Sequence, residues 1–203
     1  MFFNKYDLYL LYENKPKYLM EIKITTRQIL TVLQVLTWIL FIGLCVQAGG
    51  TLFSTLFVAF INPAAAAEFW EKTDLSALYT YDRGHFLALA SIASVASVLK
   101  AILFYVILRL FTAGTLSMEK PFTVLLVRFM LTATCLSAGI GFFCYYGFRY
   151  SGWLTAAGVP MPDTAALHLD GADVWLLMAV ILFVIAQVMK RGVEIQEENE
   201  LTV

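Results

Sequence analysis

Few side chains in this sequence could do chemistry, and their types and spacing narrow the options quickly. The three cysteines, Cys45, Cys135 and Cys144, stand inside apolar runs. An odd number of thiols in such runs gives no disulfide framework, and small buried hydrophobes are the expected role. His85 and His168 are the only histidines, and neither has a Cys, His or Glu three or four residues away. No metal-ligand spacing arises from them, and no cofactor is expected. Two cations, Lys100 and Arg128, fall within strongly apolar segments. An acidic cluster closes the chain: Glu194, Glu197, Glu198 and Glu200, with Ile195 and Leu201 as apolar neighbours and Asn199 between the last acids.

The elements that must carry these residues follow from composition. The chain has 203 residues, of which 60% are hydrophobic and only 14% charged. Soluble domains hold about 25% charged residues. A net charge of -1 with 15% aromatics is not the composition of a disordered chain. It also offers no global attraction to nucleic acid, so direct nucleic-acid binding is not expected. The arithmetic excludes a soluble enzyme domain and predicts an integral membrane protein.

About 20 mostly apolar residues cross the hydrocarbon core as a helix. Four segments qualify: residues 29–46 with apolar character continuing to 61, then 86–111, 121–148 and 172–189. The first is too long for one perpendicular span and too short for two. It reads as one span whose remainder is tilted, protruding or bent at Gly49-Gly50, ended by Asn62-Pro63. The expected fold is therefore all-α, a bundle of four transmembrane helices. Residues 29–189 form the membrane domain, 190–203 an acidic tail and 1–28 an N-terminal segment. The first apolar run starts too late and is too long for a cleaved signal peptide. Residues 1–28 either lie on the membrane surface as an amphipathic segment or, for 1–19, extend ahead of a start at Met20.

Basic residues set the orientation. With the N-terminus inside, one side receives Lys5, Lys15, Lys17, Lys23, Arg27, Arg109, Lys120, Lys190 and Arg191. The other side receives only Lys72, Arg83 and Arg149, with the acids Glu68, Glu71, Asp74, Asp82, Asp163, Asp170 and Asp173. Both termini are expected in the cytoplasm. Trp70, Tyr79, Tyr81, Tyr150, Trp153 and Trp175 fall near the outer boundary, as an aromatic belt would.

No Asp or Glu lies inside any span, Asp173 standing at the outer edge of the fourth. An intramembrane aspartyl protease has no acid to use, and ion-coupled transport is weakened. A serine nucleophile with a His or Lys base is not excluded by counting, but no accompanying motif appears, and the chain is expected not to be an enzyme. Lys100 and Arg128 are placed in the cytoplasmic half, about 16 Å and 10 Å from the inner span ends. They either snorkel to inner headgroups or join Arg109 and Lys120 in a basic vestibule for an anion, a lipid phosphate or an acidic peptide. Small residues recur at Ala93, Ser97 and Ala101 on span two and at Ala133, Ser137 and Gly141 on span three. These stripes are expected to face each other, within one bundle or in a homo-oligomer.

The tail "RGVEIQEENELTV", residues 191–203, and the segment "GTLSMEKPFTVLLVRF", residues 114–129, resemble the YoaS-like family of four-pass bacterial membrane proteins. The likeness covers spans two to four and the tail, and span one more loosely. Family members often carry polar residues soon after the Pro-Phe, where this chain has Val124, Leu125 and Leu126. The residues before Met20 are not typical of the family. The resemblance implies a bacterial inner-membrane protein of no established activity, often encoded beside a small helix-turn-helix regulator. It implies, by analogy, a membrane protein that holds or releases such a regulator. The residues allow it: an acidic tail bearing Ile195 and Leu201 could occupy a basic DNA-binding face. The leading expectation is thus a non-enzymatic membrane sensor whose tail, Glu194 to Val203, binds a helix-turn-helix partner near Pro121-Phe122. The alternative is a small transporter or a lipid- or hydrophobe-binding protein using Lys100 and Arg128.

Overall fold

A computed structural model describes residues 26–112 and 123–200. Lys120, the Pro121-Phe122 pair, Leu201 and the N-terminal residues 1–25 lie outside the described residues. Within them the chain is helical, with no strand. It forms α1 (Thr26–Phe60), α2 (Ser76–Tyr81), α3 (Arg83–Thr112), α4 (Val124–Ala156) and α5 (Ala172–Glu200), with 3-10 turns at Pro63–Glu68 and Trp70–Lys72. The four long helices are each long and apolar enough to cross a membrane.

Local chemistry explains the boundaries. α1 runs unbroken through Gly49-Gly50 and stops before Asn62-Pro63. Proline cannot continue a helix, and the Asn62 side chain accepts from the Ala64 N–H at 3.1 Å to start the next turn. Asp82 caps α3 by accepting from the His85 N–H at 2.8 Å. α4 begins after Thr123, whose hydroxyl accepts from the Leu126 N–H. It runs on past the apolar stretch that ends near Phe148, because Ser151 and Leu154 are still buried. It closes in a Schellman motif: Gly158 adopts φ +89°, its N–H donates to Thr155, and the Val159 N–H donates to Leu154.

The long helices pack in chain order, α1 on α3, α3 on α4, α4 on α5. Among the described residues α1 and α5 do not touch, so the arrangement is an open row with two edges. The small-residue stripes do not face each other as expected. Ser97 of α3 lies 3.4 Å from the Gln47 amide of α1, and Ser94 is 3.1 Å from Thr55 of α1. Gly141 of α4 instead faces α5, where a Cβ would stand 2.7 Å from Leu176 Cγ. Each stripe serves the other neighbour, since an interior member of a row needs two close faces.

The connections 61–82 and 157–171 lie together at one end, here termed the loop end. They are packed into the core through Ala66, Phe69, Leu75, Leu78, Val159, Leu167 and Leu169. The 157–171 connection descends between helices. Leu169 would meet a Cβ on Gly147 at 2.8 Å, beside Ile92 at 3.0 Å. Gly147 lies about 13 Å below the top of α4, by helical rise. α5 therefore starts deep in the row. From the Gly141–Leu176 contact, 17 helical residues remain to Val124 on α4 and 24 to Glu200 on α5. α5 thus outruns α4 at the opposite end by about seven residues, or about 10 Å.

Gly50 gives a test of how the 61–82 connection is seated. A Cβ there collides with the Trp70 ring, whereas one at neighbouring Gly49 meets nothing. Gly50→Ala is expected to cost about 1–3 kcal/mol, read as a lower thermal midpoint with shifted tryptophan emission, while Gly49→Ala leaves both unchanged or slightly raises the midpoint. Equal behaviour of the two variants would contradict this seating.

Candidate functional site

Helix geometry decides where the two cations in the apolar segments point. Every Cα–Cβ bond leans toward the N-terminus of its own helix. α3 starts at the loop end, so Lys100 leans toward that end, and α4 starts at the opposite end, so Arg128 leans away from it. The structure follows this rule and separates them. Lys100 does not snorkel toward the end that holds Arg109 and Arg128. It is buried, 8% exposed, and its ammonium donates to the His168 carbonyl at 2.8 Å. The Trp175 ring centroid lies 6.0 Å from Nζ. Trp175 is thereby drawn from the expected boundary belt to a position against a buried cation.

His168 ties this buried site to the surface of the loop end. Residues 163–169 make a short helical turn closed by the Leu169 N–H on the Thr164 carbonyl and the His168 N–H on the Ala165 carbonyl. His168 occupies the left-handed position at φ +54°, where glycine is usual. Its Nε2 lies 3.3 Å from a Glu71 carboxylate oxygen. Glu71 and Lys72 are themselves at φ +55° and +61°. Thr73 adds a hydroxyl donation to the Ala166 carbonyl at 3.4 Å. Glu71, Lys72 and His168 are the three non-glycine residues with positive φ among the described residues. Such conformations cost of order 1–3 kcal/mol each and persist where surrounding contacts hold them. The three occur in the two connections that Glu71–His168 and Thr73–Ala166 join.

The site thus runs from an exposed carboxylate, through the imidazole and carbonyl of one strained residue, to a buried ammonium at the start of α5. Among the described residues no cluster of three or more His, Cys, Asp or Glu could hold a metal. Cys144 is the one buried thiol; Cys45 and Cys135 are exposed on helix flanks. That differs from the expected burial of all three, because the edge helix α1 and the flank of α4 have no packed neighbour there. His85 sits apart, its Nδ1 2.5 Å from the Tyr150 hydroxyl and its ring 5.4 Å from that of Trp153. Tyr81, also expected in the belt, stacks on it at 5.9 Å.

The remaining expected site residues fall in two places. Arg109 and Arg128 are brought together at the end opposite the loops, where both line one cleft between α3 and α4. The tail residues Glu194, Ile195, Glu197 and Glu198 lie on α5, which continues as helix through Asn199 and Glu200. Arg191 pairs with Glu194 at 2.9 Å along the helix, and Ile195 is 46% exposed. As far as Glu200 the tail is a direct continuation of the α5 helix. Sequence reasoning missed Glu71 and His168, which carry no spacing signal. Their glycine-like backbone positions are visible only in the fold. Compared with known families, with curated proteins and with solved structures, the chain matches none.

Replacing Lys100 by Met keeps most of the side-chain bulk and removes the donor. A hydrogen bond from a charged donor contributes about 1.5–3 kcal/mol. Lys100→Met is therefore expected to speed amide exchange in residues 157–171 by about tenfold or more, whereas Arg128→Met leaves that segment unchanged. Unaltered exchange in Lys100→Met would remove the ammonium from its anchoring role.

Proposed function

We propose that this protein is a non-catalytic, multi-pass signalling protein of a bacterial inner membrane, with both termini in the cytoplasm. The loop end receives a signal outside, and the acidic end of α5 binds a small helix-turn-helix regulator inside. The observation that carries this reading is the continuity of α5. It is one unbroken helix from Trp175, beside Lys100, to Glu200, and its last residues run about 10 Å past the start of α4.

A helix is a stiff element, so a change in how the 157–171 connection sits on Lys100 displaces the start of α5 and moves its far end with it. The projecting end carries Glu194, Glu197 and Glu198 around exposed Ile195. Acids at a helix C-terminus are disfavoured by the macrodipole. A basic partner surface offsets that cost, and recognition helices present such surfaces. The partner's class comes from the resemblance of residues 191–203 to the YoaS-like tail. Electrostatic complementarity of this kind is salt-sensitive.

The full chain, tagged at its N-terminus and purified in mild detergent with the regulator encoded beside it, tests the reading. Deleting residues 194–203 is expected to abolish capture. Glu194→Gln, Glu197→Gln and Glu198→Gln combined should weaken it about tenfold or more at low salt, with the difference from the wild-type chain shrinking as salt rises. Capture that survives the deletion unchanged rejects the tail as the binding element.

A further inference from the structure

The cleft that Arg109 and Arg128 share is a second, separate site, and nothing in the signalling reading uses it. It lies between the last turn of α3 and the first turns of α4 and encloses about 390 Å³. Arg109 stands three residues from the end of α3, and Arg128 four residues after the start of α4. Both are thus within about 6 Å of the helix ends. The rest of the lining is largely apolar: Leu110 and Leu125 toward the helix ends, and Val106, Phe129 and the ring of Tyr105 toward the middle of the row. The one small hydroxyl in the lining, that of Thr132, already donates to the Arg128 carbonyl. The positive end of the α4 macrodipole opens beside the same cleft.

We infer that this cleft binds the headgroup phosphate of an anionic phospholipid. Two arginines lining one cleft suit a phosphodiester, which planar guanidiniums can hold with paired N–H donors. Apolar walls continuing toward the middle of the row suit acyl chains rather than water. A free anion would use the guanidiniums and leave those walls unpaired, so the lipid is the better match to the whole lining. The cleft sits where α3 ends and α4 begins, the level at which headgroups meet a four-span protein with these helix bounds. The inference rests on the membrane reading above but not on the tail partner, so loss of lipid binding and loss of regulator capture are separate outcomes.

The test uses the full chain in detergent with dioleoylphosphatidylglycerol or dioleoylphosphatidylcholine added, read by native mass spectrometry. The wild-type chain is expected to retain the anionic lipid over the zwitterionic one. At about fivefold per basic residue near a headgroup, Arg109→Gln with Arg128→Gln should weaken retention roughly 30-fold. The pair Arg109→Lys and Arg128→Lys keeps the charge and should retain most binding, which separates loss of a site from loss of fold. Lys190→Gln with Arg191→Gln, a basic pair on α5, should change retention little. Equal retention of both lipids, an undisturbed double Gln variant, or a larger effect of the α5 pair overturns the inference. So does displacement of the lipid by millimolar inorganic phosphate, which would mark a site for free anions.

Discussion

A primary ammonium buried among apolar helices has to find acceptors, and the ones available to Lys100 determine the shape of this protein. Placing a lysine at the centre of a membrane helix costs about 2.5–3.5 kcal/mol even by lenient scales. The nearest relief is a backbone carbonyl, and one with no intrahelical N–H already on it is the strongest acceptor on offer. The carbonyl of His168 is free because the 163–169 turn ends there in a left-handed residue. The 157–171 connection must therefore descend into the row to present it. That descent seats Leu169 against Gly147 and Ile92, starts α5 deep rather than at the surface, and leaves its far end projecting. One hydrogen bond at mid-depth is thereby linked to an acidic tip at the other end.

Close packing makes the descent possible. Gly141 and Gly147 on α4 are the places where a side chain would strike Leu176 and Leu169, and Ala179 and Ala186 on α5 are buried. Small residues let the helices and the connection approach without a driving force from water. On its other side α3 offers hydroxyls, and Ser94 and Ser97 meet Thr55 and Gln47 of α1. α1 is the edge, with Val32, Ile39, Val46 and Phe53 widely exposed. Such a surface suits lipid.

Hydropathy alone foretold the all-helical class and four helices long enough to cross a membrane, since that signal is written in runs of residues such as Ile29–Val46. Helix ends marked by Asn62-Pro63 were equally legible. The site was less so. Lys100 stands out in the sequence as an unusual cation, but its depth in the span does not reveal which end it faces; that follows from the lean of the side chain toward its own helix N-terminus. His168 and Glu71 were silent, because a strained backbone conformation and a contact between connections 97 residues apart leave no periodic trace. The two arginines line one cleft, whereas Lys100 points away from it to the His168 carbonyl. The stripes of small residues were legible as close-packing faces, but sequence spacing does not say which neighbour each face receives.

The claim on which the account depends is that the 157–171 connection lies inside the row beside Gly147. Disulfide trapping tests it most directly. In a chain with Cys45, Cys135 and Cys144 replaced by Ala, the pair Gly147→Cys and Leu169→Cys is oxidised in native membranes with copper phenanthroline. Efficient cross-linking of that pair is expected, none for Gly139→Cys with Leu169→Cys, and no reaction of Leu169→Cys alone with a membrane-impermeant maleimide. Free reaction with the maleimide and no cross-link would place the connection at the surface and contradict the account.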